Sequence, residues 1–293
     1  MKIRMGPGER LFEIGIYASL VLLVIVTLYP LLHVLFASVS EASQLIKHRG
    51  ILLQPLGFNL NAYLSVLKNP FIQSGYMNTA FIVVAGVLFN MAMTILGAFV
   101  LSRKKVLWNK FFIFTIIFTM FFQGGLIPLY LIVKGVGLID SLWAVIVPFA
   151  ISTFNLIVLR TSFAALPDAL EESAKMDGAG HFLILTRIVL PLSMPVLAVI
   201  TLYYAVEKWN SWFYASIFLK DNELFPLQLI LRQILIANAT DEMSAGGAVG
   251  DHYQIGETIK YATIMVATIP ILCVYPFLQR YFVKGVMVGA LKG

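Results

Sequence analysis

The sequence predicts an all-α integral membrane protein with six membrane-spanning helices. Of its 293 residues, 59% are hydrophobic and only 12% are charged, whereas soluble domains carry roughly 25% charged residues. The mean hydropathy of +0.87 indicates the same class. Six apolar segments also reach the length of about 20 residues that a helix needs to cross the bilayer core.

The six predicted spans form a single transmembrane domain over residues 1–293. The first apolar segment is longer than the ~7–15 residues of a signal-peptide core, and no clear small-residue cleavage site follows it, so we expect it to remain as a span. Pro30, Pro128 and Pro148 lie within spans, where proline can kink a helix. The spans are predicted at about 13–36, 74–101, 111–133, 142–162, 194–218 and 261–283.

The distribution of Lys and Arg predicts the orientation of the chain. Six spans place both termini on one side of the membrane, and basic residues concentrate on the cytoplasmic side. Of the 21 Lys and Arg residues, thirteen fall on the side of the termini, seven fall on the opposite side, and Lys208 lies within a span. Both termini and segment 166–191 are therefore predicted to be cytoplasmic, and segments 37–73 and 219–260 to face outward. The thirteen are Lys2, Arg4, Arg10, Arg103, Lys104, Lys105, Lys110, Arg160, Lys175, Arg187, Arg280, Lys284 and Lys292.

Charge and cysteine content exclude several functional classes. The net charge of +6 does not indicate nucleic-acid binding, because the basic residues are scattered and no aromatic–basic motif accompanies them. The single cysteine, Cys273, rules out an internal disulfide, and the four histidines show no metal-ligand spacing. Glu207 is the one acidic residue well inside a span, which is a poor basis for the acid–base chemistry of an intramembrane enzyme.

The polar segment 166–191, which lies between the fourth and fifth spans, predicts a helical hairpin at the cytoplasmic surface. Pro167 and Asp168 are typical of a helix start, and the spacing Asp168-x-x-Glu171 resembles a capping box. Gly178 is typical of a helix end, where a residue without a Cβ atom turns left-handed. From the residues alone, an ordinary interfacial loop explains this segment equally well.

A second hairpin helix is predicted from about Gly180 to Leu190. It should end near Pro191, because proline cannot continue the hydrogen-bonded ladder without cost. Its apolar residues would let it lie on the membrane surface or against other spans. These are Phe182, Leu183, Leu185, Ile188 and Val189.

The hairpin carries a motif with fixed internal spacing. Glu172-Ser173-Ala174 is followed after three residues by Gly178 and after nine more by Ile188-x-Leu190-Pro191. This resembles the E-A-A-x3-G-x9-I-x-L-P motif of binding-protein-dependent ABC importer permeases, and Ser173, in place of the first alanine, is a small replacement. Six spans with this hairpin are similar to the shorter permease subunit of the maltose-type carbohydrate family. The segments 275–280 and 287–293 resemble its branch for complex saccharides such as alginate or pectin oligomers.

The resemblance implies a permease subunit that moves oligo- or polysaccharide across the cytoplasmic membrane and couples ATPase closure to alternating access. In the family the first hairpin helix, here Asp168–Met176, sits in a cleft of the ATPase, with Glu172 facing a basic group. The coupling residues implied are Asp168, Glu171, Glu172, Ser173, Ala174, Asp177, Gly178, Ile188, Leu190 and Pro191. The tail residues Gly289, Ala290, Leu291, Lys292 and Gly293 are implied to reach between the ATPase subunits.

The resemblance also implies the partners. They are a second homologous permease subunit, two ATPase subunits, an extracytoplasmic solute-binding protein, the saccharide and membrane lipid, with no nucleic acid. The chain has no Gly-x4-Gly-Lys-Ser/Thr phosphate loop, so it is expected to be no enzyme and to bind no cofactor, with ATP and Mg²⁺ used by the partner. Two alternatives stay open: an ABC importer permease for another solute, and an ion-coupled secondary transporter, which would not need the hairpin motif.

A polar and aromatic cluster within the fifth span is the candidate substrate path. Charged residues within spans usually face the bundle interior or water. The aromatic members could stack on sugar rings, and the amide could bind hydroxyl groups. A gate or a polar contact between helices explains the cluster at least as well. The candidates are Glu207, Trp209, Asn210, Trp212 and Tyr214.

Overall fold

The computed structural model describes residues 6–104, 106–244 and 258–273. Within these ranges the regular elements are all helices, which confirms the predicted all-α class. The chain divides into two compact units, residues 1–69 with 233–269 and residues 70–232 with 270–293. By length and composition, α1 (Pro7–Ser38) and α4 (Pro70–Ser102) could each cross a membrane, and up to five spans result if each of three bent helix pairs is one span.

The first unit contains the long apolar helix α1. Its side chains are exposed on all faces between Leu11 and Leu28, as expected for a helix whose surroundings are apolar rather than aqueous. The hydroxyl of Ser38 lies 2.7 Å from that of Tyr63 and so joins the end of α1 to α3. The other elements of this unit are α2 (Ala42–Lys47), α3 (Asn61–Lys68) and most of α13 (Leu227–Ser244) and α14 (Thr258–Cys273).

The second unit is built around α4, which packs against α7 and α11. Its remaining helices are α5 (Asn109–Phe121), α6 (Leu126–Gly135), α7 (Thr153–Ala164), α8 (Asp168–Met176), α9 (His181–Ile184), α10 (Leu190–Leu192), α11 (Met194–Trp209) and α12 (Ala215–Phe218). Short 3-10 helices cover Leu142–Val145, Val147–Phe149 and Asn222–Leu224. A π-helical turn over Leu185–Val189 joins α9 to α10.

Apolar side chains from α4, α7, the hairpin and α11 fill the core of the second unit. A buried polar contact crosses this core, where the hydroxyl groups of Thr94 and Tyr204 lie 2.7 Å apart. The Tyr204 hydroxyl also accepts the backbone N–H of Ser152 at 2.9 Å, which satisfies a donor at the start of α7. The core residues are Ala98, Phe99, Leu156, Leu159, Phe163, Ile184, Leu185, Val189, Leu197, Ile200 and Tyr204.

Three of the predicted spans are not single continuous helices. In 111–133, α5 and α6 meet at 114°, where Gly125 has φ of +86°, a conformation open to glycine. In 142–162, a 3-10 segment precedes α7 at a bend of 48°. In 194–218, α11 ends at Trp209 and α12 starts at Ala215. Residues 274–283 of the sixth span lie outside the described residues, so the count of six stays a prediction.

Asp140 joins two connections in the second unit. Its Oδ1 accepts the backbone N–H groups of Lys220 at 2.9 Å and Asp221 at 3.0 Å. Its own N–H donates to the carbonyl of Phe218. The two backbone N–H groups lower the pKa of the Asp140 carboxyl below its ordinary value, because they stabilise the charged form.

Candidate functional site

Helix α8 starts at Asp168, but Asp168 does not cap it. Pro167 takes the N-cap position with no side-chain hydrogen bond. The Asp168 carboxylate instead accepts a hydrogen bond from Nζ of Lys104 at 2.6 Å. That hydrogen bond and the charge of Lys104 lower the pKa of Asp168. The predicted capping box is therefore wrong, because a cation that follows α4 in the sequence binds the carboxylate in place of the first-turn N–H groups.

Glu171 is bound by two cations. Arg103 donates to one carboxylate oxygen, and Lys175, one turn later on α8, donates to the other at 2.8 Å. The guanidinium of Arg103 also lies 4.4 Å from the centroid of the Phe99 ring, a cation–π distance. The Arg103 and Glu171 side chains are only 20% and 14% exposed, compared with 79% and 64% for Lys104 and Asp168. The first pair is thus the one shielded from water.

Side chains from α5 and α7 donate hydrogen bonds to backbone carbonyls at the C-terminal end of α4. The carbonyl of Leu101 accepts from Nε of Arg160 on α7 and from Nδ2 of Asn109 on α5, both at 3.2 Å. Asn109 donates in addition to the carbonyl of Arg103 at 3.0 Å. Carbonyl groups at a helix end need such partners. These contacts hold the loop that carries Arg103 and Lys104, so α8 is connected through them to α4, α5 and α7.

Sequence reasoning missed this anchoring. Arg103, Lys104 and Arg160 entered only as basic residues that set the topology. One sequence feature could have predicted it: a basic pair directly follows the second span, on the same predicted side of the membrane as the acidic hairpin. Opposite charges on one surface favour ion pairs, but the sequence alone does not identify which residues pair.

Helix α8 ends at Met176, and Gly178 forms the predicted left-handed turn just after it. The φ of Gly178 is +81°, the left-handed conformation that glycine adopts without a Cβ clash. The N–H of Gly178 donates to the carbonyl of Lys175, and that of Ala179 donates to the carbonyl of Ala174. This pair of hydrogen bonds is a Schellman motif, and it fixes the direction in which the chain leaves the helix.

The two faces of α8 differ in exposure. Ala174 packs against the core of the second unit, on the side where Glu171 meets Arg103. Glu172 and Ser173 are exposed, and Met176 is 89% exposed. The helix therefore presents an acidic residue, a small residue and an apolar residue outward while its other face is held by the fold.

The second arm of the hairpin is helical from His181 to Leu192, with a π-helical turn in its middle. It is predicted within two residues at each end. Leu190 packs against the core, whereas Pro191 is exposed. After Ser193 the chain bends by 86° into α11.

The candidate substrate path starts at the C-terminal end of α11. Glu207 is exposed, and the Asn210 amide donates to the carbonyl of Val206 at 2.8 Å. The indole N–H of Trp209 is buried and has no hydrogen-bond partner among the described residues. The structure thus separates the five predicted residues, since the Asn210 amide bonds to its own helix end and the indole N–H of Trp209 is buried.

Trp212 and Tyr214 belong to a row of aromatic rings. Ring centroids lie 5.5 Å apart for Trp212 and Phe213, 5.2 Å for Phe213 and Tyr214, and 4.4 Å for Tyr214 and Phe149. We call Trp212, Phe213, Tyr214 and Phe149 the aromatic row. Phe213 is 46% exposed, so the row is open to its surroundings on part of its surface.

A cation lies at each end of the aromatic row. The guanidinium of Arg232 lies 3.8 Å from the centroid of the Trp212 ring. The Nζ of Lys208 lies 5.5 Å from the Phe149 centroid and donates to the carbonyl of Val145 at 3.1 Å. Lys208 is only 2% exposed. Its side chain fits beside Gly86 on α4, where an added Cβ atom would lie 3.4 Å from three of its carbons.

The predicted contact of the tail with the ATPase subunits, residues 289–293, lies outside the described residues. In the part of the chain that the structure describes, no three side chains of His, Cys, Asp or Glu gather in a way that could hold a metal ion.

Comparison with protein families identifies the chain. Residues 95–288 match the family described as binding-protein-dependent transport system inner membrane component. The chain belongs to this family. As the membrane component of an ABC transporter, the permease is not itself an enzyme, because ATP hydrolysis belongs to a separate subunit. A secondary transporter is correspondingly disfavoured.

Individual relatives match over nearly the whole permease. The polygalacturonan/rhamnogalacturonan transport system permease protein YtcP of Bacillus subtilis (strain 168) is 40% identical over 292 residues, with 97% of this chain and 99% of the relative covered. Protein LplC of the same organism is 39% identical over 268 residues, with 92% and 90% covered. A crystal structure of a bacterial ABC transporter involved in the import of the acidic polysaccharide alginate superimposes with a TM-score of 0.88 at 33% identity, with 96% of this chain and 100% of that chain covered.

Proposed function

We propose that this permease subunit moves acidic oligosaccharides inward across the cytoplasmic membrane in an ATP-driven importer. Two proteins that are similar to it over nearly their full length are named for transport of polygalacturonan and rhamnogalacturonan and for import of alginate. Uronate polymers carry a carboxylate on their sugar rings. The exposed cation at one end of the aromatic row, Arg232, agrees with a substrate of negative charge.

The observation that carries the coupling proposal is that α8 is anchored on one face and exposed on the other. The Arg103–Glu171 contact and the Lys104–Asp168 contact tie the helix to the end of α4. Glu172, Ser173 and Met176 face outward and form the proposed docking face for an ATPase subunit. A helix fixed to α4 in this way can transmit movement of the ATPase to the spans as a rigid body.

The remaining members of the proposed assembly follow the family pattern. A second homologous permease subunit would form a heterodimer with this chain, two ATPase subunits would hydrolyse ATP with Mg²⁺, and an extracytoplasmic binding protein would deliver the saccharide. Both termini and the hairpin would face the cytoplasm. Residues 289–293 would contact the ATPase subunits.

Uptake by proteoliposomes tests the transport proposal. The assembled importer is reconstituted with its binding protein outside and ATP inside, and uptake of labelled trigalacturonate and of maltotriose is measured. We expect uptake of trigalacturonate that requires internal ATP and is unaffected when ion gradients are collapsed. Uptake that follows an ion gradient without ATP, or the absence of uptake of any saccharide, would contradict the proposal.

A charge reversal on the docking face tests the coupling proposal. In Glu172→Lys the exposed side chain would face a like charge in the ATPase cleft, so we expect transport to fall by about tenfold or more, with insertion and thermal stability unchanged. Glu223→Lys, which reverses an exposed acidic residue in the 3-10 helix Asn222–Leu224, is the matched control and should transport normally. Wild-type transport in Glu172→Lys would overturn the docking role of α8.

A further inference from the structure

Arg232 is an exposed cation that lies over the ring of Trp212. Its guanidinium carbon lies 3.8 Å from the ring centroid, well within the range of a cation–π contact. Among the side chains that the structure describes, no carboxylate forms an ion pair with Arg232, since the three ion pairs there involve Arg103, Lys104 and Lys175. Its positive charge is therefore fixed in place by the ring without being neutralised by an acidic side chain of the described chain.

The central carbon of the Arg232 guanidinium lies over the Trp212 ring. The guanidinium group is planar and its N–H groups point outward within that plane, so a contact through one of its faces leaves those N–H groups available to a ligand. Two parallel N–H groups in that plane match the two oxygens of a carboxylate. The ring thus restricts the orientation of Arg232 before any ligand arrives, which reduces the entropy lost on binding.

The neighbouring rings fit the rest of such a ligand. Trp212 is in edge contact with Phe213, which is 46% exposed, so apolar ring surface lies directly beside the cation. A sugar ring with one carboxylate has an apolar C–H face and one anionic group. The chemistry of the site, a cation next to exposed aromatic surface, corresponds to both parts of that ligand.

We propose that Arg232, held by Trp212, binds the carboxylate of an acidic saccharide and selects it over a neutral one. This deepens the proposed function and rests on it. Lys208 at the other end of the aromatic row does not share this role, because it is 2% exposed and engaged with the Val145 carbonyl. The selection of acidic substrates is therefore assigned to Arg232 alone.

The test compares an anionic substrate with its uncharged methyl ester. Uptake of trigalacturonate and of its methyl ester is measured in proteoliposomes for the wild type, Arg232→Gln, Arg232→Lys and the matched control Lys220→Gln, which removes an exposed cation from a nearby loop. Dividing each variant's rate by the wild-type rate for the same substrate cancels the preference of the binding protein. Recovery of the assembled complex and basal ATP hydrolysis show whether each variant is intact.

In Arg232→Gln we expect uptake of the acid to fall about tenfold, the loss expected for one charge-assisted hydrogen bond, with uptake of the ester within about twofold of the wild type. Arg232→Lys should be intermediate, because it keeps the charge and loses the planar fork. Lys220→Gln should leave both substrates unaffected.

Three results would overturn the inference: an equal fall for acid and ester, no change for the acid, or equal losses in Arg232→Gln and Lys220→Gln. If the ester is not transported by the wild type, the comparison of the two variants on the acid decides. A wild-type assembly that takes up no saccharide contradicts the proposed function itself, which distinguishes that failure from a failure of Arg232 alone.

Discussion

The hairpin and the aromatic row hold their cations in opposite ways. At the hairpin, Arg103, Lys104 and Lys175 each contact a carboxylate of α8. At the row, Lys208 and Arg232 lie over aromatic rings, and neither forms an ion pair within the part of the chain that the structure describes. Both regions are rich in charge, but only the first is internally neutralised.

This difference agrees with the roles proposed for the two regions. Ion pairs between elements far apart in sequence fix the position of a helix, which suits a helix that transmits force. A cation that lies against a ring is oriented without losing its attraction for an anion, which suits contact with a charged ligand. Substitutions and changes of pH and salt test this distinction.

Removing Glu171 should weaken the hairpin most. In Glu171→Ala, Arg103 would lose its carboxylate, and its Nε and Nη2 groups are already buried without partners among the described residues. A partly buried cation left unpaired costs roughly 1–3 kcal/mol. Denaturant unfolding of the purified complex in detergent should show a fall of this size in the free energy of unfolding.

The exposed pair on the same helix provides the control. Asp168→Ala removes a carboxylate whose partner, Lys104, is 79% exposed, so the lysine returns to water and the loss should be much smaller. A double-mutant cycle on Arg103 and Glu171 should give a favourable coupling energy. A coupling energy near zero would mean that this pair does not anchor α8, and equal losses from both alanine variants would remove the distinction between them.

The turn at Gly178 should be the next most sensitive point. Nothing lies within 4 Å of a Cβ atom built there, and its φ is +81°, so Gly178→Ala tests the backbone conformation without a steric clash. A left-handed alanine costs about 1 kcal/mol or more. Gly180→Ala is the matched control, because the space around Gly180 is equally open while its φ is −73°.

Hydrogen exchange of the α8 amides measures this effect locally. Gly178→Ala should speed exchange in the last turn of α8 by about fivefold, whereas Gly180→Ala should leave it unchanged. Gly178→Asn, which tolerates the left-handed region better, should lie between them. Equal exchange rates in the alanine variants would show that the Schellman turn does not limit the stability of the hairpin.

Local patterns in the sequence predicted the start of α8 and the turn that follows it. The helix begins at Asp168, and Gly178 adopts the predicted left-handed conformation. Both depend on neighbouring residues alone, because a helix end is decided by its own dihedral angles. The role of these residues in docking an ATPase stays a prediction.

Long-range contacts explain what the sequence did not predict. The capping box failed because Lys104 and Arg103, more than sixty residues earlier, bind Asp168 and Glu171. Likewise, Arg232 is counted among outward-facing basic residues in the sequence, and only the structure places it on Trp212. The break between α5 and α6 at Gly125 did have a local signal, the pair Gly124-Gly125. The high hydropathy of the surrounding segment predicted one continuous span and so outweighed that signal.

The smallest expected effect concerns pH at the start of α8. Lys104 lowers the pKa of Asp168 in the folded state, so the folded protein holds that proton less tightly than the unfolded chain. The contact therefore contributes stability above the ordinary carboxyl pKa of about 3.9, and this contribution disappears as the pH falls through the lowered pKa. Hydrogen exchange in the first turn of α8 should speed up over that range in the wild type but not in Asp168→Asn.

Asp140 serves as an internal reference for the same experiment. Its pKa is also lowered, but chiefly by the backbone N–H groups of Asp221 and Lys220 rather than by a side-chain cation. Salt screens the attraction between exposed charges and has less effect on hydrogen bonds to backbone N–H groups. Raising the salt concentration at neutral pH should therefore speed exchange near Asp168 and leave that near Lys220 and Asp221 almost unchanged. An equal response at both places would show that Asp168 is held by the backbone and not by the charge of Lys104.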